Sequence, residues 1–123
     1  MNQAVAAVIV ARVGAFRDSL ESNLGAAGFH IIASKATLTD LSREEVPRSQ
    51  PSLVVIECGD SLGPYTAQIA ELKQQNPLSR VVVVGQRWRP ADIASAFEAG
   101  ANAYFAEAVI SKEFMQAMNL ITR

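Results

Sequence analysis

Only one cysteine, one histidine and one tryptophan occur among the 123 residues of this chain. A lone Cys58 cannot form an internal disulfide, and with His30 it makes neither a CxxC motif nor a Cys/His cluster for a metal. His30 has no Ser or Cys partner in evident reach, so a nucleophilic triad is not expected. Charge is scarce as well: 19% of residues are charged and the net charge is −1. That balance gives no general attraction to nucleic acid or to an anionic membrane, and no basic helix or stripe is present. Long apolar runs are missing too. The opening Met1–Val13 is apolar, but it lacks a basic flank and breaks at Arg12, too short for a membrane span or a signal peptide. A soluble cytoplasmic domain is the expectation.

What is present is a globular composition, 50% apolar, in a length that suits one domain spanning residues 1–123. Short apolar runs at Ala4–Val10, Phe29–Ser34, Ser52–Glu57, Arg80–Val84 and Ala103–Ala106 read as buried strands. Between them lie helical patterns. Phe16, Leu20, Leu24 and Ala27 share one face, and Gly28 suits a left-handed stop. Thr39–Val46 predicts a brief helix with a Ser42-x-x-Glu45 box, cut short by Pro47. Pro64 opens a third helix with Tyr65, Ile69 and Leu72 inward, and Ala91–Ala99 gives a fourth with Ile93, Ala96 and Phe97 inward, stopped by Gly100. Ser111 suits the N-cap of a last helix carrying Phe114, Met118 and Ile121. Strands alternating with helices, without hairpin signals, predict an α/β fold: a flavodoxin-like, doubly wound, five-stranded parallel sheet in three αβα layers.

Several phrases resemble the receiver domain of two-component response regulators. Glu98-Ala99-Gly100-Ala101-Asn102-Ala103-Tyr104-Phe105 is similar to that family's passage into its fifth strand. Pro51–Glu57 is similar to its third strand, while Arg17 and the Gly28-Phe29 turn also fit. The resemblance covers essentially the whole chain, and its wording is nearest to receivers that precede a helix-turn-helix DNA-binding domain. It implies a signalling module and not an enzyme, with the chain as the N-terminal part of a longer regulator.

The same resemblance implies where phosphorylation chemistry would sit. The family uses two acids after strand one for Mg²⁺, an aspartate ending strand three as phosphoacceptor, a Ser or Thr ending strand four, and a Lys ending strand five. Ala11 and Arg12, Glu57, Gly85 and Glu107 stand at those places, so all five depart from the pattern. Arg12 puts positive charge where the metal would sit; at ~4 Å and an effective dielectric near 20, one unit charge opposes another by about 4 kcal/mol. Glu57 carries one methylene more than aspartate, and misplacement on that scale costs about a hundredfold in rate. Mg²⁺ binding is expected to be weak or lost, and no other cofactor is implied. Glu57 and Glu107, taken as neighbouring strand ends, would repel unless Arg12 lay between them as a shared donor. The aromatic switch position of the family falls on Tyr104. With no hydroxyl at Gly85 to draw it inward, Tyr104 reads as a strand residue with a buried ring and a wet hydroxyl.

Gln86-Arg87-Trp88-Arg89-Pro90 is composed like an interface hot spot, and equally like a ring folded over the sheet rim under Arg stems. Cys58 reads as a small buried hydrophobe. The expected function is an atypical, phosphorylation-independent receiver acting through protein contacts on a partner or fused output domain. Its surface would be the fourth predicted helix, the fifth strand and the last helix, which also offers a route to a homodimer. One alternative is a conventional receiver with Glu57 or Asp60 as acceptor, although Asp60 more simply serves a turn. Another is a small flavodoxin-like nucleotide or flavin binder, for which Val13-Gly14-Ala15-Phe16 offers one glycine and no hydroxyl.

Overall fold

A computed structural model describes residues 5–59, 62–107, 118 and 120–121, the Arg43 side chain excepted. Its strands are β1 (Ala6–Val10), β2 (His30–Lys35), β3 (Ser52–Gly59), β4 (Ser79–Gly85) and β5 (Ala103–Ala106). Helices α1 (Ala15–Ala26), α2 (Thr66–Gln75) and α3 (Pro90–Ala99) join them. All pairings are parallel and the order is β2-β1-β3-β4-β5. The predicted doubly wound sheet is therefore the observed one.

β3 is the central strand, and seven of its eight residues, Ser52–Cys58, are buried. Alternation along the strands sends side chains to two cores. Val8, Val10, Val54, Ile56, Cys58, Val81, Val83 and Tyr104 pack with Ile69 of α2 and Ala96 of α3 on one face. Ala7, Ile9, Leu53, Val55, Val82 and Val84 pack with Leu20 and Leu24 of α1, and with Met118, on the other. Continuous apolar runs in β3 and β4 thus follow from coverage on both faces. Gly100 ends α3 at φ 109°, and Gly28 follows α1 at φ 97°, both in the left-handed region that a side chain would strain.

The helix expected over Thr39–Val46 does not form. Two 3-10 turns, Leu38–Asp40 and Arg43–Glu45, take its place. Hydroxyls and carboxylates there compete for the backbone: Thr37 Oγ1 accepts from the Asp40 amide at 3.3 Å, and Glu45 Oε1 from the Ser42 amide at 2.9 Å. The second contact is half of the predicted box, used to close a turn. The buried Asn76 side chain then fastens this segment by donating to the Val46 carbonyl at 2.8 Å. Of the predicted last helix, Ser111 and Phe114 lie outside the described residues, whereas Met118 is buried and Ile121 packs against the same core.

Candidate functional site at the carboxyl edge of the sheet

The pairing of β1 with β3 sets Val10 opposite Ile56, so the chain leaves β1 at Ala11 and Arg12 beside Glu57. The Arg12 backbone N–H donates to Glu57 Oε1 at 3.2 Å, and Arg12 Nε stands 3.7 Å from the same oxygen. The two partners differ sharply in exposure: the Arg12 side chain is 81% exposed and that of Glu57 6%. Water screens the guanidinium, so this ion pair is worth about 0–1 kcal/mol. The amide contact is the firmer tie. Glu57 has the parity of Leu53 and Val55 along β3, whose side chains pack on the α1 side of the sheet.

Glu107 does not join them. The strand order puts β4 between β3 and β5, so Glu57 and Glu107 are not at neighbouring strand ends. Two strand spacings amount to about 10 Å. Arg12 leaves β1, on the far side of β3 from Glu107, so it does not lie between the two acids. Among the described residues no ion pair links Arg12 to Glu107, and the expected three-membered cluster is a pair. The donor set does not fit a hard divalent cation either. Ala11 has no ligating atom, Arg12 brings positive charge to Glu57, and among the described residues no three His, Cys, Asp or Glu side chains converge. Asp60 lies outside the described residues.

The other half of the edge is built on Gly85, Tyr104 and the loop after β4. Tyr104 pairs with Val83 in register and its side chain leans along the sheet over Gly85. A Cβ on Gly85 would stand 2.7 Å from Tyr104 Cζ and closer still to its hydroxyl oxygen. The ring is 6% exposed, and the hydroxyl donates to the Arg87 carbonyl at 2.8 Å. The hydroxyl, expected to be wet, has a protein partner in the next loop. Trp88 meets the Tyr104 ring edge-on, with centroids 6.0 Å apart, while 65% of Trp88 stays exposed. Trp88 is thus both anchored to the rim and open to solvent, combining the two readings of the sequence. Arg87 and Arg89 are exposed beside it. The Gln86 amide ties the loop to the Gly59 carbonyl of β3 at 3.0 Å.

Burial raises the ionisation of the Tyr104 phenol above its ordinary range, helped by negative charge from Cys58 and Asp92. Burial likewise pushes the Cys58 thiol up to about 11, with the Asp92 carboxylate adding to it. Cys58 is therefore an unreactive core thiol, as expected. His30 is exposed at the start of β2, at the opposite edge of the sheet from the loops after β1, β3 and β4. Sequence reading missed Asn76 as an anchor and Gly85 as a packing site. The signal for the second was a glycine closing a run of four valines, where the strand pattern calls for another side chain.

No family model matches the chain, and no curated relative does. Solved structures do. A LuxR-family DNA-binding response regulator from Staphylococcus aureus superposes with a TM-score of 0.78 at 17% identity, over 97% of this chain and 99% of that one. An orphan response regulator of H. pylori gives 0.79 at 16% identity over 100% of both chains. A pilus assembly-related protein from Burkholderia pseudomallei gives 0.83 at 12% identity, over 99% of this chain and 92% of that one. The described residues have the fold of response-regulator receiver domains.

Proposed function

We propose that this chain is an atypical receiver domain that signals without phosphorylation, through protein contacts made at the rim where β4 and β5 meet α3. The observation that carries this reading is the state of Glu57. Its carboxylate is nearly buried and already accepts the Arg12 amide, with the Arg12 guanidinium close to where a metal ion would be needed. An acyl phosphate forms by attack of a free carboxylate oxygen on phosphorus, with charge neutralised by a metal and a lysine. Glu57 has Arg12 in place of the metal, and Glu107 brings negative charge at the lysine position. Mg²⁺ is held weakly on this reading.

For the contact surface, the support is apolar exposure at that rim. Trp88 is 65% exposed, flanked by exposed Arg87 and Arg89. Phe97, expected to face inward, is 51% exposed further along α3. An aromatic between two arginines is the usual make-up of an interface anchor. The fold likeness to DNA-binding response regulators makes a helix-turn-helix output domain, or a second receiver, the natural partner class. A nucleotide- or flavin-binding role has only Gly14 in its favour.

Isothermal titration calorimetry with Mg²⁺ and beryllofluoride, a phosphoryl mimic, tests the reading. No saturable heat is expected up to the low millimolar range; saturable binding, abolished in Glu57→Gln, would overturn it. Sedimentation of wild type against Trp88→Ala tests self-association, which requires Trp88 if the rim is the contact.

A further inference from the structure

We propose that Gly85 and Tyr104 form a fixed latch that holds the loop after β4, and with it Trp88, in a single conformation. This goes beyond the proposed function, because it rests on packing and not on what the loop contacts.

Gly85 closes β4 and is buried there; a glycine costs more backbone entropy than alanine and needs a reason at such a place. Backbone conformation supplies none here. The glycines with positive φ are Gly14, Gly28, Gly59 and Gly100, and Gly85 is not among them. A left-handed backbone is therefore not what calls for glycine at position 85. The reason is on the other side of the slot. The Tyr104 ring occupies the space a Cβ would take, 2.7 Å from its Cζ. Val81, Val83 and Gly85 share one face of β4, so a valine in the run's next place on that face would push the ring out.

Once in the slot, Tyr104 connects three elements. Its backbone belongs to β5, its ring closes over β4, and its hydroxyl holds the Arg87 carbonyl at 2.8 Å. Trp88 leans on the ring edge. The loop is also tied at its start, through the Gln86 amide on Gly59. The ring contact and the hydroxyl contact require the same inward rotamer, so losing one loosens the other. A side chain at position 85 removes both.

The test is a double-mutant cycle between Gly85→Ala and Tyr104→Ala, read by urea unfolding and by the fluorescence anisotropy of Trp88, the single tryptophan. With Tyr104 present, Gly85→Ala lowers the folding equilibrium constant by about tenfold or more, the usual size of overpacking. In the Tyr104→Ala background the same change is neutral or stabilising, because only the ordinary preference for alanine remains. Trp88 anisotropy falls in Gly85→Ala. Tyr104→Phe keeps the ring and loses the donor, and it lowers the anisotropy too, so the proposal stays testable if Gly85→Ala does not fold. An equal cost of Gly85→Ala in both backgrounds overturns the latch, and so does unchanged anisotropy in Tyr104→Phe. Neither result bears on whether Glu57 is phosphorylated.

Discussion

Glu57 and Arg12 meet through the main chain more than through their charges: the Arg12 amide lies 3.2 Å from Glu57 Oε1, whereas the guanidinium stands 3.7 Å away and mostly in water. The asymmetry sets the order of two substitutions. Arg12→Ala keeps the amide and removes a screened charge, so its cost is below ~1 kcal/mol. Glu57→Ala leaves that amide without its acceptor and costs about 1–3 kcal/mol. Urea midpoints of the two variants check the order. A cost for Arg12→Ala as large as that for Glu57→Ala would mean that the ion pair is the stronger tie.

Cys58 is 6% exposed and its thiol ionises only near about 11. At neutral pH the folded protein should be alkylated by iodoacetamide far more slowly than the urea-unfolded chain, because the thiolate is the reacting species. Intact mass against time measures the ratio. Similar rates in the two states would contradict the burial.

Tyr104 and Cys58 together predict alkaline lability. Both folded-state values are raised above the unfolded ones, 10.0 and 9.0 respectively, so the unfolded chain releases these protons first. Stability is full below about pH 9 and declines as pH rises from there through the folded values. Urea midpoints between pH 8 and 11 should fall, and the fall should shrink in Cys58→Ala and in Tyr104→Phe.

Asn76 is 1% exposed, and its amide donates to Val46 at 2.8 Å while its own carbonyl accepts the Ser79 hydroxyl at 2.7 Å. It fixes the irregular segment that stands where a helix was expected. Asn76→Ala should cost about 1–3 kcal/mol. Hydrogen exchange should quicken over residues 38–46 before it does in β3; uniform quickening would show that the tie is not local.

The sheet was readable because β1, β3 and β4 are buried on both faces, and burial leaves apolar runs that no other context explains. Turn chemistry was readable at Gly28 and Gly100, where φ values of 97° and 109° demand glycine. The segment after β2 misled because Thr37 and Glu45 side chains satisfy the Asp40 and Ser42 amides locally, closing two 3-10 turns in place of a helix. At the site, sequence placed Glu57 beside Arg12 correctly but put Glu107 on a neighbouring strand. Strand order is a long-range property, and no local pattern shows that β4 separates the acids. Gly85 misled for a related reason. It was read for the hydroxyl it lacks, while its effect is the room it leaves for Tyr104.

Glu57 as a structural acid, and not a phosphoacceptor, is open to direct test. The most direct measurement is a time course with acetyl phosphate and Mg²⁺, followed by intact mass under native conditions. The account predicts that no phosphorylated species accumulates, in wild type or in Arg12→Ala. A phosphorylated species that disappears in Glu57→Gln would contradict it.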